Sequence, residues 1–399
     1  MRVAVFSDDL YPGFGGQAAA TEGHIEALVS LGHEVRALVG AEKSPEQPPP
    51  GVLVERLPVW RPGGKQTQIA LPRSAGIEKL LRWAEVAQIN TPTPLALRVI
   101  SLARRWNIPT AVGFHTQEES AALHFGPLRR PVSAGLRHWY TTLYGKPDCL
   151  LAPTAFAANL ATRYTARPIH VVSNGIRLPA IGIIEEERAA KKRQKLLGDR
   201  RHLLVHVGRL TQEKRPQDLL SVAAALAVRR DDWRLIIAGN GPLRRTLERR
   251  CARLGLSGHV DFVGFVPEGE KEDLLLSADL FLMPSPTELQ SIATLEAMAR
   301  RCAVVSADTP TSAVPQMIRE ADCGICYLPD RLAIAATDTA ALLDHPVELN
   351  RLRKNAIVAA AEHDVHRSGA KLQEIYTSLL RDRGISRTIP NKPLQRTNR

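Results

Sequence analysis

The chain has 399 residues, of which 44% are hydrophobic and 24% charged, the composition of a soluble globular protein with room for two domains. It contains no run of about 18 uncharged apolar residues, and Asp8 and Asp9 come too early for a signal peptide, so we exclude a membrane-spanning helix and expect a cytoplasmic protein. The formal net charge of +12 favours an anionic partner, such as a diphosphate substrate or an anionic membrane surface, whereas an aromatic content of only 5% argues against nucleic acid.

Strands and helices alternate in the first half of the chain. Strands are predicted at Arg2–Ser7, Val35–Val39, Val52–Val54, Val86–Ile89, Thr110–Phe114, Cys149–Ala152 and Ile169–Val172, and helices at Ala18–Leu31 and around Leu95–Trp106. This alternation is typical of parallel α/β structure. Between the first strand and the first helix lies the pair Gly15 and Gly16, where phosphate or sugar oxygens could approach the backbone N–H groups; a plain tight turn explains the same pair.

The pattern restarts after a charged linker near residues 175–200. Strands are predicted at Leu203–Val207, Arg234–Ala238, Val260–Val263, Leu280–Met283 and Cys302–Ser306, with a helix at Gln217–Val228. We therefore predict an α/β fold of two Rossmann-like domains. Ligands of such sheets bind at the carboxyl ends of the strands, so the loops there are the candidate sites.

Two cations follow the first strand of the second half. Arg209 and Lys214 can together hold a diphosphate, since a forked guanidinium and a mobile ammonium offset its charge. A pair of solvated loop charges is the alternative. The next strand is likewise followed by a glycine-rich segment, which contains Gly241. A tight turn without a binding role explains this segment equally well.

Two carboxylates flank the start of a later helix. Glu288 lies in a loop after the strand Leu280–Met283, and Glu296 falls in the first two turns of a helix that begins near Ile292. A carboxylate accepts two hydroxyl hydrogen bonds, which suits the vicinal diol of a sugar, and the free N–H groups at the helix start suit a phosphate. The alternative is a loop charge and an acid favoured by the helix dipole.

His115 ends a strand of the first half, where it would face the cleft between the domains. Its titration range allows proton transfer as well as hydrogen bonding, although a buried histidine with satisfied hydrogen bonds is the default interpretation. Five cysteines at unrelated spacings argue against disulfides, and the Cys323–Cys326 motif lacks the second pair that a closed zinc site needs. A buried strand explains that motif better.

In order and spacing these motifs resemble the retaining glycosyltransferase family 4, of GT-B architecture, over nearly the whole chain. The resemblance implies that residues 1–178 form an acceptor domain and residues 199–364 a donor domain, facing a central cleft. A helix over 365–383 would cross back to the first domain, and residues 384–399 would be a basic, disordered tail. The segments that carry it are Gly15-Gly16, Gly32-His33-Glu34-Val35, His115, Ser173-Asn174-Gly175-Ile176, Gly208-Arg209 with Lys214, Gly239-Asn240-Gly241-Pro242, Val263-Gly264-Phe265-Val266, and Glu288 with Glu296.

The resemblance also implies a role for each motif residue. Arg209 and Lys214 would hold the donor diphosphate, Glu296 the ribose diol and Glu288 the donor sugar, while His115 would line the acceptor side. The expected catalytic residues are His115, Glu288, Arg209 and Lys214. The expected donor-binding residues are Gly15, Gly16, Arg209, Lys214, Gly241, Val266, Glu288, Ser291, Ile292, Ala293 and Glu296. No metal or other cofactor is expected, because the two cations neutralise the leaving group.

Two departures from the family pattern bear on the acceptor. The sequence Glu288-Leu-Gln-Ser291 lacks the usual glycine and resembles the form found in bacterial diacylglycerol glucosyltransferases, which favours a lipid. Arg300-Arg301-Cys302 stands where the family usually has a glycine and indicates nothing about function. The basic and aromatic segment Phe125–Tyr140 is consistent with an anionic lipid surface or with ordinary helix packing.

From these features we expect a retaining transferase that moves a hexose, with glucose from UDP-glucose the first choice, to a membrane lipid such as diacylglycerol at the cytoplasmic membrane face. A polysaccharide or small polar acceptor is the alternative within the class. A sugar-nucleotide epimerase would share the fold and need no acceptor. A protein that only binds anionic lipid is a third interpretation, which leaves the two carboxylates and two cations without a shared purpose.

Overall fold

The computed structural model describes residues 1–10, 16–40, 51–61, 68–122 and 128–384. The expectations for Gly15, for the start of the basic segment at Phe125 and for the tail from residue 385 lie outside these residues. The described part of the chain forms two parallel sheets, each with helices on both faces. This arrangement confirms the predicted two-domain α/β fold.

The first half forms a sheet in which all neighbouring strands are parallel, in the order β3-β2-β1-β6-β7-β8-β9. Its strands, with the short antiparallel hairpin β4–β5 beside them, are β1 Arg2–Ser7, β2 Glu34–Gly40, β3 Leu53–Leu57, β4 Val59–Trp60, β5 Ile69–Ala70, β6 Val86–Ile89, β7 Thr110–Gly113, β8 Cys149–Ala152 and β9 Ile169–Val171. The helices of this half are α1 Gly16–Ser30, α2 Ser74–Trp83, α3 Pro94–Arg105, α4 Glu118–Ala122, α5 Arg129–Tyr144 and α6 Ala155–Ala161.

The second half repeats this construction with the strand order β12-β11-β10-β13-β14-β15. Its strands are β10 His202–Val207, β11 Trp233–Ala238, β12 Val260–Gly264, β13 Leu280–Met283, β14 Ala303–Ala307 and β15 Gly324–Tyr327. Its helices are α7 Ile183–Leu197, α8 Gln217–Ala227, α9 Arg244–Arg253, α10 Glu268–Leu276, α11 Ile292–Ala299, α12 Val314–Ala321, α13 Leu332–Asp344 and α14 Pro346–Ala361, with a short 3-10 helix at Gln212–Lys214. The Cys323–Cys326 motif runs into β15, which confirms the predicted strand, although three of its four residues are only half-buried. Its cysteines are free.

Both sheets reverse their strand order at one point, which decides where a ligand can bind. In the second half the reversal lies between β10 and β13, which pair directly through Leu204 and Leu280. In the first half it lies between β1 and β6. The loops at the carboxyl ends of such neighbouring strands run in opposite directions and leave a crevice between them. The loops after β10 and β13 carry Arg209, Lys214 and Glu288.

The last helix, α15 Val365–Asp382, packs on the first domain rather than on the second. Asp364 caps its start by accepting a hydrogen bond from the His366 N–H at 2.8 Å. Tyr376 on this helix is fully buried, and its hydroxyl donates to Gln88 Oε1 on β6 at 2.6 Å. The predicted crossover helix is therefore confirmed.

The two segments that connect the domains touch each other. Ile176 and Asp364 form an isolated parallel bridge, with the Ile176 N–H bonded to the His363 carbonyl at 2.8 Å. Gly175 adopts a positive φ of 76°, and a methyl group there would lie 2.8 Å from Val365 Cα. Only glycine fits this crossing without strain.

Candidate active site

A lysine and a carboxylate that the sequence placed on different loops meet at the strand reversal. Lys214 Nζ donates a hydrogen bond to Glu288 Oε1 at 2.7 Å, and only 10% of the Glu288 side chain is exposed. Lys214 ends the 3-10 helix after β10, whereas Glu288 lies in the loop after β13. The pairing of β10 with β13 brings the two residues together.

Arg209 also has an acidic partner, which sequence reasoning missed. Its guanidinium pairs with the largely buried Glu213 four residues on. Glu213 in turn accepts a hydrogen bond from the hydroxyl of Ser120, on α4 of the first domain, at 3.2 Å. Each predicted phosphate-binding cation is thus held by a carboxylate in this structure, and one of the two ion pairs reaches across to the opposite domain.

The glycine turn after β11 supports the loop that carries these cations. A methyl group on Gly241 would lie 2.4 Å from the Leu210 carbonyl oxygen, and one on Gly239 would lie 1.8 Å from the Gly208 carbonyl oxygen. These positions exclude any side chain, since a larger residue would push the Arg209 loop out of place. The structure therefore gives Gly241 a supporting position behind the cations; direct contact of Gly241 with a donor stays a prediction.

The helix α11 begins beside this pair. Ser291 caps it, since its hydroxyl accepts a hydrogen bond from the Thr294 N–H at 3.2 Å. The N–H groups of the first turn, at Ile292 and Ala293, have no acceptor within the helix and can bind an anion. Gly16, at the start of α1 in the first domain, faces this turn, since a methyl group on it would contact the end of the Ile292 side chain at 3.8 Å.

Glu296 lies one turn further along α11, where it pairs with a lysine that the sequence did not single out. Lys271 Nζ, on α10, lies 2.9 Å from both carboxylate oxygens of Glu296. Burial raises the pKa of Glu296, and the ammonium of Lys271 opposes that shift. Val266, one of the expected donor-binding residues, is half-buried just before α10, and the adjacent Phe265 is exposed.

His115 lies over Gly113, at the carboxyl end of β7. A methyl group at position 113 would be 2.3 Å from His115 Nε2, so the ring occupies the space that a side chain there would need. Burial lowers the pKa of His115 to about 3, and His24 contributes to the shift. The imidazole is therefore neutral near pH 7. A neutral ring favours hydrogen bonding over proton transfer, and a catalytic role for His115 stays a prediction.

An acidic pair that the sequence reasoning passed over follows β1. Asp8 accepts a hydrogen bond from the Ala70 N–H at 2.8 Å, and burial raises its pKa to about 6. Burial and the charge of Asp8 raise the pKa of Asp9 to about 7, while Arg209 of the other domain opposes the shift. The first domain thus presents two carboxyl groups with raised pKa values near the cation loop.

Gln290, the residue at the departure from the family motif, bonds to both connecting segments. Its Oε1 accepts from the Asn174 N–H at 2.8 Å, and its amide nitrogen lies 3.0 Å from Ser173 Oγ and 3.4 Å from His363 Nδ1. Gln290, Ser173 and His363 line a pocket of about 360 Å³ between the domains. The loop that contains Glu288 is therefore tied directly to the connecting segments.

The basic segment before Tyr140 folds as the helix α5. Tyr140 is buried in the core of the first domain, and Trp139 packs against that core and donates its ring N–H to the Pro92 carbonyl at 2.7 Å. Arg129, Arg130 and His138 are exposed. The aromatic side chains thus serve helix packing, while the basic side chains face outward. Among the described residues, no helix is long and apolar enough to cross a bilayer.

Comparisons with known proteins cover both halves of the chain. Residues 14–178 match the family Glycosyltransferase Family 4, and residues 187–359 match Glycosyl transferases group 1. The GDP-mannose-dependent alpha-(1-6)-phosphatidylinositol dimannoside mannosyltransferase of Mycobacterium tuberculosis is 29% identical over 82% of this chain and 84% of its own length. The alpha-monoglucosyldiacylglycerol synthase of Streptococcus pneumoniae is 25% identical over 78% of this chain and 72% of its own.

A solved structure has the same fold over nearly the whole chain. Anabaena Alr3699/HepE, in complex with UDP and glucose, superposes with a TM-score of 0.75 over 95% of this chain and 100% of its own, at 17% sequence identity.

Proposed function

The chain belongs to glycosyltransferase family 4 and has the GT-B fold, and on that premise we propose that it is a retaining transferase that moves a hexose from a nucleotide-sugar to a membrane lipid. The proposed donor is UDP-glucose and the proposed acceptor is a lipid such as diacylglycerol. The bond between the anomeric carbon and the phosphate oxygen breaks, and the oxygen of the acceptor hydroxyl bonds to that carbon with retained configuration. The proton of that hydroxyl passes to the departing diphosphate oxygen.

The observation that supports this proposal most is the contact between Lys214 and Glu288 at 2.7 Å, beside Arg209 at the strand reversal. A donor diphosphate in this place would draw both cations away from their carboxylate partners. Negative charge grows on the diphosphate as the sugar leaves, and cations already in position stabilise it without reorganisation. The proposed mechanism needs no metal for this step.

Glu288 becomes available to the sugar once Lys214 turns to the phosphate. A carboxylate next to a sugar can accept hydrogen bonds from two of its hydroxyl groups. We assign the ribose diol to Glu296, phosphate oxygens to the N–H groups at Gly16 and Ser291–Ala293, and the base to the backbone near Val266. We also assign phosphate binding to Gly15, which precedes Gly16 in the chain.

His115 would donate a hydrogen bond from its neutral ring to a hydroxyl on the acceptor side. No hydrogen bond from a described residue reaches this ring, which leaves its nitrogen atoms available to a substrate. The low pKa of His115 supports this role, because a neutral imidazole always keeps one donor and one acceptor.

Gly113→Ala should therefore lower kcat by about tenfold to a hundredfold, the range expected when one substrate hydrogen bond is lost. The added methyl group would displace the His115 ring, so His115→Ala should have a similar effect and the double variant should be no worse than either. Steady-state kinetics of the three variants test this. Gly76→Ala, which adds a methyl group in ordinary contact with Leu38 at 3.9 Å, is the control; normal kcat in Gly113→Ala would contradict the assignment.

Two observations favour a lipid acceptor. Two relatives are named for lipids, one for a phosphatidylinositol dimannoside and one for a monoglucosyldiacylglycerol. The exposed bases of α5 are suited to anionic head groups, so we propose peripheral association with a membrane surface. A polysaccharide or small polar acceptor is the alternative, and a sugar-nucleotide epimerase is the alternative outside the transferases.

The test is nucleotide release from a panel of UDP- and GDP-sugars, with and without vesicles that contain diacylglycerol, in the presence of a chelator. We expect release of UDP from UDP-glucose that rises with the vesicles and survives chelation. Release of GDP from a GDP-sugar would identify that sugar nucleotide as the donor in place of UDP-glucose. Nucleotide release that vesicles leave unchanged would favour a soluble or polysaccharide acceptor. Epimerised sugar without release would overturn the transferase proposal.

A further inference from the structure

Lys271 uses all three of its ammonium protons on acidic partners. Its Nζ lies 2.9 Å from each oxygen of Glu296 and 3.0 Å from Glu268 Oε2. Both Lys271 and Glu296 are largely buried, with 15% and 17% of their side chains exposed. Burying an ammonium and a carboxylate is costly unless they are paired with good geometry, and here the geometry is symmetric about the carboxylate.

A second ion pair joins the same part of the structure. Glu272, next to Lys271 on α10, pairs through Oε1 with Nη2 of Arg300, the residue that follows α11, at 2.5 Å. The contact of Lys271 differs from this one because its partner, Glu296, is an expected donor-binding residue.

We propose that Lys271 is a positioning residue that orients the Glu296 carboxylate for the two hydroxyl groups of the donor ribose, an inference that rests on the proposed function. A carboxylate oxygen has two lone pairs. Lys271 takes one lone pair on each oxygen and leaves one on each for a further donor. Two acceptors held side by side in this way match a vicinal diol, whose two hydroxyl groups lie on adjacent carbons.

Lys271 also favours the ionised form of this carboxylate. Burial favours the neutral form of Glu296, and a neutral carboxyl group would offer weaker acceptors to the ribose. The positively charged neighbour opposes that effect. The opposite role, in which Lys271 blocks the carboxylate and competes with the ribose, predicts an effect of opposite sign on affinity.

Isothermal titration of the full chain with UDP and with 2′-deoxy-UDP, and with the corresponding guanosine diphosphates, tests the inference. We expect Lys271→Met to weaken binding of the ribonucleotide by about tenfold or more, the loss expected for a charge-assisted hydrogen bond. The affinity for the 2′-deoxy nucleotide should change much less, so that the preference of the protein for ribose over deoxyribose falls. Lys271→Arg should restore most of that preference.

Glu272→Gln is the matched control, since it breaks the neighbouring α10–α11 ion pair without touching Glu296. It should bind both forms as the unaltered protein does. Equal loss of both forms in Lys271→Met, or tighter binding of the ribonucleotide, would overturn the positioning role. If the unaltered protein binds neither UDP nor GDP, the proposed function fails and the inference fails with it.

Discussion

Lys214→Met should lower kcat for sugar transfer by about a hundredfold to a thousandfold, the loss seen when a preorganised group that stabilises developing charge is removed. Methionine keeps most of the length of lysine and loses the charge. Of the two cations, only Arg209 would then stabilise the charge of the leaving diphosphate. Steady-state kinetics with the donor identified in the panel give kcat and KM for each variant.

A lysine elsewhere in the same domain provides the control. Lys192 on α7 is also partly buried, and its ammonium donates to the Glu270 carbonyl at 3.1 Å. Lys192→Met should leave kcat unchanged. If Lys214→Met raised KM and left kcat intact, Lys214 would contribute to donor binding in the ground state only, and its assignment to the transition state would be wrong.

Glu288→Gln should lower kcat by a similar factor of about a hundred or more, since a neutral amide cannot replace a carboxylate that accepts from two hydroxyl groups of the sugar. The fold should be unaffected, because glutamine has the same shape and can still accept a hydrogen bond from Lys214. Activity and thermal unfolding of the same preparation separate these two effects.

The variant that changes both residues tests whether they act together. If Lys214 and Glu288 work on one bound donor, the double variant Lys214→Met with Glu288→Gln should lose much less than the product of the two single effects. Full activity and unchanged sugar binding in Glu288→Gln would show that the assignment of Glu288 to the active site is wrong. Multiplicative losses would assign the two residues to separate steps.

The fold was predictable because parallel strands that are buried on both faces have nearly continuous apolar sequences. Arg2–Ser7, Val86–Ile89, Cys149–Ala152 and Leu280–Met283 begin and end in the structure as predicted. The hairpin β4–β5 was not, since its two-residue strands lie partly on the surface and carry no alternating pattern. The helix α1 begins at Gly16, two residues before its predicted start. The prediction missed this because sequence patterns assign a glycine at that position to the turn.

The sequence also predicted which loops carry the site residues. It did not predict which side chains contact one another there. Arg209, Lys214 and Glu288 could be assigned to carboxyl ends of strands, where parallel sheets bind ligands. Their partners are set by side-chain packing. Glu213, Lys271 and Gly113 have ordinary sequence surroundings, and their importance follows only from distances to groups on other elements. The neutral state of His115 likewise depends on burial that a single histidine in a sequence does not indicate.

The position of α15 has a consequence for how this protein folds as it is synthesised. The sheet of the first domain is completed on one face by Leu372, Ile375 and Tyr376 of α15, which leave the ribosome after the entire second domain. Domains generally fold in the order in which they emerge, yet here Val3 and Val5 must wait for a helix that is made after the entire second domain. Until then part of this apolar face of the nascent first domain stays uncovered, because only α1, among the other described helices, packs on it. Chaperone binding during translation should therefore be strongest in this interval and should end once α15 has docked.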